Sequence, residues 1–169
     1  TLNLYGGKIT DAYGGCNYNG NIAGKITVNV IDVVNQNCTY GKLDVTNVYG
    51  ASNLAEYNPT FTPTSGTERI SPVVNVIHID QTDGIKGNVY GGGNAAKVTN
   101  ASPQVNIGDY TGMIIPTPIG YTVYPIAAAN RRGYVKGNVF GGGNREGVTG
   151  NPVINMRAKG TVVSGIYES

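Results

Sequence analysis

The sequence predicts an all-β chain wound as a parallel β-helix or β-solenoid, with two or three strands per turn and two inserted loops. Three observations carry this expectation. Val, Ile and Thr together number 50 of 169 residues, against 4 Leu, and branching at Cβ suits pleated strands and disfavours helix. One phrase, Asn88-Val89-Tyr90-Gly91-Gly92-Gly93-Asn94, returns as Asn138-Val139-Phe140-Gly141-Gly142-Gly143-Asn144. A second phrase, seen at Val74-Asn75-Val76 and Val105-Asn106-Ile107, has the apolar–polar–apolar alternation of a strand with one buried face.

In chain order, a fragment of the first phrase stands at Asn3-Leu4-Tyr5-Gly6-Gly7, and a looser copy at Ala12-Tyr13-Gly14-Gly15-Cys16-Asn17. Val28-Asn29-Val30 is the first strand phrase to follow a copy, and Asn47-Val48-Tyr49-Gly50-Ala51-Ser52-Asn53 is the next copy. From the aromatic of a copy to the Asn of its strand phrase the distance is 16 residues at Tyr13, 26 at Tyr49, 16 at Tyr90 and 15 at Phe140. The excess after Tyr49 coincides with Tyr57-Asn58-Pro59-Thr60-Phe61-Thr62-Pro63-Thr64-Ser65-Gly66, whose composition is that of a loop, so one insertion is placed near 54–70. The second, near 109–133, holds Pro116, Pro118, Pro125 and Ala127-Ala128-Ala129. Ile154-Asn155-Met156 and Gly165-Ile166-Tyr167 close the series.

The shortest full period, Phe140 to Tyr167, is 27 residues. One complete turn of a coil supplies the long crossover that parallel pairing needs. Equivalent residues then stack about 4.8 Å apart. Asn17, Asn53, Asn94 and Asn144 are expected to form an amide ladder, and the glycines the corners, where an absent Cβ relieves strain. A β-sandwich also fits short strands with Gly-rich turns; the close reuse of one phrase favours the coil. Residues 1–169 are taken as a single segment, expected to be a mature form or a piece of a longer repeat protein.

Composition excludes several function classes. Charged residues are 13% of the chain, about half the usual share of roughly 25%. The net charge is +2 with no block of like charge, and only Arg131-Arg132 cluster. Capture of nucleic acid by charge is therefore not expected. No run of 18 apolar residues occurs, so membrane insertion as a helix is not expected either.

Candidate chemistry is sparse. Gly91-Gly92-Gly93 lacks the Lys-Ser/Thr pair of a phosphate loop. Calcium-binding β-rolls need Asp where Asn94 and Asn144 stand. Asp32, Asp44, Asp80 and Asp83 show no paired-carboxylate pattern for glycoside hydrolysis. His78, the single histidine, alternates with the apolar residues of 74–79 and is expected as a hydrogen-bonded strand residue without ligand partners. Cys16 and Cys38 lie 22 residues apart, near one turn, and are candidates for a disulfide or for two small buried thiols. No cofactor, metal or catalytic residue is expected. Tyr13, Tyr49, Tyr90 and Phe140 form a candidate contact stripe for sugars or protein; packing beneath the inserted loops is the alternative.

At NVYGGGN and NVFGGGN, each followed by a Val-Asn-Ile type strand, the chain resembles the Gly-rich β-helix repeats of large secreted or surface-attached proteins of Bacteroidetes-type bacteria. The resemblance covers most of the chain outside the insertions, and Cys16, Ala51 and Ser52 depart from it. It implies an extracellular or cell-surface location and a structural or adhesive role, and supplies no catalytic residues. The expected function is thus a non-enzymatic segment that associates with adjoining repeats or with further copies of itself, end to end as a fibre, and meets a glycan or a host or bacterial surface. A carbohydrate-binding or polysaccharide-degrading β-helix is the alternative.

Overall fold

The computed structural model describes residues 1–31, 43–65, 68–77, 79, 84–108 and 132–168. Among them there is strand and turn and no helix, as the β-branched composition predicts. Two five-stranded sheets dominate. The first contains β1 (Leu2–Leu4), β3 (Thr27–Ile31), β5 (Ile70–Ile77), β7 (Ser102–Ile107) and β10 (Val153–Met156), in that spatial order. The second contains β2 (Lys8–Tyr13), β4 (Asp44–Tyr49), β6 (Val89–Tyr90), β9 (Asn138–Phe140) and β12 (Gly165–Tyr167), also in chain order. Every pairing is parallel. That separates the fold from an antiparallel sandwich.

The two sheets are visited alternately. A parallel partner needs a long crossover, and here the crossover from one strand to its partner runs through the other sheet. β8 (Gly133–Val135) pairs with β11 (Gly160–Val162) in a small third sheet, which the bridge Ile85↔Val135 continues. Tyr57, Val98 and Val148 form a further parallel column of bridges. Register follows the two phrases: Asn29↔Asn75 and Asn75↔Asn106 in the first sheet, Val48↔Val89 and Val89↔Val139 in the second.

One apolar cluster joins the sheets. Val28, Val30, Val74, Val76, Val105 and Ile107 come from the first, and Val45, Val48, Val89 and Val139 from the second; all are fully buried. Apart from Val45, which precedes its copy in β4, these are the apolar positions of the two phrases, turned to one side by the period-two geometry of a strand. Tyr57, placed by its neighbours in a loop, instead lies fully buried in this cluster. Its hydroxyl donates to the carbonyl of Gly24 at 2.8 Å and also meets Ser71 Oγ. The backbone of 54–65 is likewise tied down, with Leu54 N–H on Asn17 O and Thr60 N–H on Ala23 O. The second insertion lies outside the described residues over 109–131.

The glycines of the phrase are needed for a different reason from the one expected. None of Gly14, Gly50, Gly91 or Gly141 has a positive φ; among the described glycines only Gly7, Gly20 and Gly108 do. The requirement is close approach. A Cβ on Gly14 would stand 2.2 Å from Gly50 O, one on Gly50 2.1 Å from Gly91 O, and one on Gly91 2.2 Å from Gly141 O. The looser early copies keep the same geometry. Gly14 N–H donates to Tyr49 O, Gly50 N–H to Tyr90 O, Gly91 N–H to Phe140 O and Gly141 N–H to Tyr167 O. Ala51 stands where later copies have Gly92, and its N–H still reaches Gly92 O at 3.1 Å. At Ser52 the hydroxyl is turned to use, accepting from Cys16 N–H at 3.1 Å.

Candidate functional site

Stacking in register brings like side chains together, and three ladders result. Asn17, Asn53, Asn94 and Asn144 form the amide ladder that their recurrence predicts. Each Nδ2 donates to the Oδ1 of the preceding member, at 2.9, 2.8 and 2.8 Å. A second ladder runs through the centre of the first sheet: Asn29 to Asn3, Asn75 to Asn29, Asn106 to Asn75 and Asn155 to Asn106, at 2.8 to 2.9 Å. Asn29, Asn75 and Asn106 are buried. Alternation alone turns these residues away from the valine face. The fourfold recurrence of Asn at the strand centre, at Asn29, Asn75, Asn106 and Asn155, was the available signal that they bond to one another. Asn3, read as part of the Gly-containing phrase, instead lies in register with Asn29 as the first member of this ladder.

The third ladder is aromatic. Tyr13, Tyr49, Tyr90, Phe140 and Tyr167 stack with centroids 4.7, 4.8, 4.8 and 5.1 Å apart and planes within 17° of parallel. That spacing is the distance between neighbouring strands. The candidate stripe is therefore one continuous stack, extended by Tyr167. Its rings stand on the opposite side of their strands from Val48, Val89 and Val139, and Tyr49 and Tyr90 are only 6% and 5% exposed. Most ring faces lie against another ring, so between the two ends the stack offers edges and hydroxyls. Asn88 Nδ2 donates to the Tyr90 hydroxyl at 3.1 Å. Asn88 also accepts the N–H of Asn138 at 2.8 Å, and Asn47 accepts that of Asn88 at 3.0 Å.

Burial pushes the Tyr49 phenol up to about 12, aided by the neighbouring Tyr13 and Tyr90 phenols and Asp11. Burial also raises Tyr13, with a smaller contribution from Asp11. A phenol whose acidity is weakened by folding stabilises the fold fully below the unfolded value, near 10. Above it the unfolded chain loses its proton first, so stability must fall. Alkaline titration from pH 9 towards about 12 is expected to lower the melting temperature progressively, Tyr49 accounting for at most about 2 kcal/mol of lost stability once screening at its edge is allowed for. Tyr49→Phe should flatten that dependence, read by circular dichroism melts at each pH.

The polar side chains around the first insertion are spent on holding it. Ser102 Oγ and Asn151 Nδ2 donate to the two oxygens of Glu68, at 2.6 and 2.8 Å, and keep its carboxyl below the usual range. Arg69 Nη1 donates to Asn100 Oδ1 at 2.7 Å, and its Nε to Phe61 O at 2.8 Å. Asp44, one of the carboxylates weighed for hydrolysis, is held below its ordinary value first by the hydrogen bond from Lys86, whose Nζ lies 2.6 Å away at the surface. Among the described residues no three His, Cys, Asp or Glu side chains gather as a metal site.

Among the described residues Cys16 has no disulfide partner; Cys38, its candidate partner, lies outside them. The same holds for His78, Asp32, Asp80 and Asp83. No known protein family, curated protein or solved structure matches the chain.

Proposed function

We propose that the chain is a β-solenoid segment with a non-enzymatic, structural or adhesive role in a secreted or cell-surface protein. The single observation that carries this reading is the in-register stacking of five successive strands in each of two alternately visited parallel sheets. Amides and aromatic rings are used there rung after rung on neighbouring rungs, which builds a stiff scaffold and leaves few of them for a substrate. Such a scaffold is quasi-one-dimensional, each layer being held by its neighbours. It suits a spacer or stalk presenting a surface, and its layers can continue in adjoining repeats or in a further copy, end to end.

Hydrogen exchange tests the architecture. Amides of β3, β5 and β7 are expected to exchange slowest, with protection declining towards β1 and β10, because layers at the ends fray first. Uniformly fast exchange across those strands would sink the solenoid reading. The carbohydrate-active alternative needs open aromatic faces or paired carboxylates. Incubation with a polysaccharide panel is expected to release no new reducing ends, and a glycan array to show no binding that depends on Tyr49 or Tyr90. Cleavage, or binding lost in Tyr90→Ala, would move the assignment to that alternative.

A further inference from the structure

We propose that a cleft on the side of the stack binds a neutral saccharide, with the Tyr18 ring as its platform and Asn19, Asn21, Glu56 and Asn58 as its polar partners. The proposal rests on the adhesive reading and gives it a ligand class and a site. The cleft measures about 400 Å³, at the lower end of the range for small-molecule sites. One wall is the turn that follows Asn17. The other is the segment that follows Asn53, where Leu54 adds an apolar side chain.

Local sequence explains the turn. Where later copies of the phrase have a third glycine, the first has Cys16. Gly20 has a φ of +126°, and a Cβ there would stand 3.0 Å from Cys16 Sγ. The backbone from Cys16 to Gly20 therefore folds back on the thiol, at a position only glycine fills without strain, and Tyr18 lies midway along it. Asn53 N–H donates to Cys16 O at 3.0 Å and Leu54 N–H to Asn17 O at 2.9 Å, which holds the turn against the second wall.

The direction in which Tyr18 projects belongs to its place in the repeat. Leu54, Ala95 and Arg145 each follow a ladder asparagine and donate their N–H to the ladder asparagine of the preceding layer, so with Tyr18 they form one column. Leu54 has a layer on either side of it and is still 46% exposed; Tyr18 is 70% exposed. The column thus faces sideways, whatever layers adjoin it. Neighbouring apolar side chains that face water within a polar rim mark an interaction site.

The polar groups select the ligand. Asn19, Asn21 and Asn58 stand outside the ladders and are exposed, and among the described residues their amides join no side-chain hydrogen bond. Each amide offers both donors and an acceptor, the two things that a sugar hydroxyl can meet. Glu56 Oε1 accepts from Thr99 Oγ1 at 2.6 Å, which orients the carboxylate and leaves Oε2 to accept from a ligand hydroxyl. The rigid, flat Tyr18 ring fits the C–H face of a pyranose. Among the described residues no Lys or Arg lines the cleft, so an acidic sugar would meet Glu56 without a counter-charge.

Isothermal titration tests the site with neutral tetrasaccharides of glucose, galactose, mannose and N-acetylglucosamine, and with a tetragalacturonate as the acidic counterpart. At least one neutral probe is expected to bind with a Kd of about 1 mM or tighter, and more tightly than the acidic one. Tyr18→Ala should weaken that binding at least about tenfold, whereas Tyr18→Phe, which keeps the ring, should stay within about threefold of the unaltered chain. At 70% exposure neither change should move the melting temperature. Failure of all four neutral probes, preference for the acidic one, or binding that survives Tyr18→Ala would each overturn the site. Hydrogen exchange on the same samples separates the two levels. Protected β3 and β7 in a chain that binds no saccharide refute the cleft alone, whereas loss of that protection refutes the solenoid reading with it.

Discussion

Gly91→Ala is expected to lower folding stability by about 3 kcal/mol or more, a shift in melting temperature of roughly 6–12 °C for a domain of this size. The added Cβ falls 2.2 Å from the carbonyl oxygen of Gly141 and 3.0 Å from Pro103 Cβ. The first obstacle is main chain in the neighbouring strand's corner, so no side-chain rotation relieves it. The strand bond from Gly91 N–H to Phe140 O, 2.9 Å long, must lengthen instead. Gly147→Ala is the control. Nothing lies within 4 Å of its Cβ and its φ is not positive, so the change should be neutral or should stabilise by up to about 0.5 kcal/mol through the unfolded chain. Urea unfolding of both variants, followed by circular dichroism, checks the contrast. Equal effects at the two positions would show that close approach between layers is not what selects glycine in the phrase.

Breaking the buried amide ladder is the second large effect. Asn75 donates to Asn29 Oδ1 and accepts from Asn106 Nδ2, both at 2.8 Å, and is 6% exposed. Asn75→Ala leaves one acceptor and one donor without partners in a site closed to water. Each such group costs about 1–3 kcal/mol, so a loss of about 2–6 kcal/mol is expected. Asn75→Asp should be similarly damaging at neutral pH, where a carboxylate faces Asn29 Oδ1, and should recover as the acid is protonated. Asn144→Ala, at the exposed end of the other ladder, loses one surface bond and should cost well under about 1 kcal/mol. Thermal melts at pH 7 and pH 4 distinguish the three. A buried and an exposed rung with equal effects would mean that desolvation does not govern the ladders.

Much of this fold was legible because its determinants are local. β-branched residues and the alternation in Val74-Asn75-Val76 identify strands through period two. Recurrence of the Gly-containing phrase identifies which strands are equivalent, and so which asparagines meet. Tyr57 was illegible for the opposite reason. Its flanking Asn58, Pro59 and Thr60 have loop composition, but its burial depends on Gly24, Ser71 and Val98, none of them close in sequence. Glu68 is similar, since its partner Asn151 is 83 residues away.

The candidate stripe Tyr13, Tyr49, Tyr90 and Phe140 shows the boundary most clearly. Equal spacing relative to the glycines put these rings in equivalent places, and that much needed no structure. Whether the rings present faces or edges depended on the distance between neighbouring strands, close to the thickness at which rings stack, and so only the assembled sheets decided it. The sequence by itself determined an all-β chain whose like residues recur in phase. The tertiary structure decided what those residues touch, because every ladder rung joins residues 26 to 50 positions apart. It also replaced the expected reason for the glycines, a special backbone angle, with the nearness of the next layer.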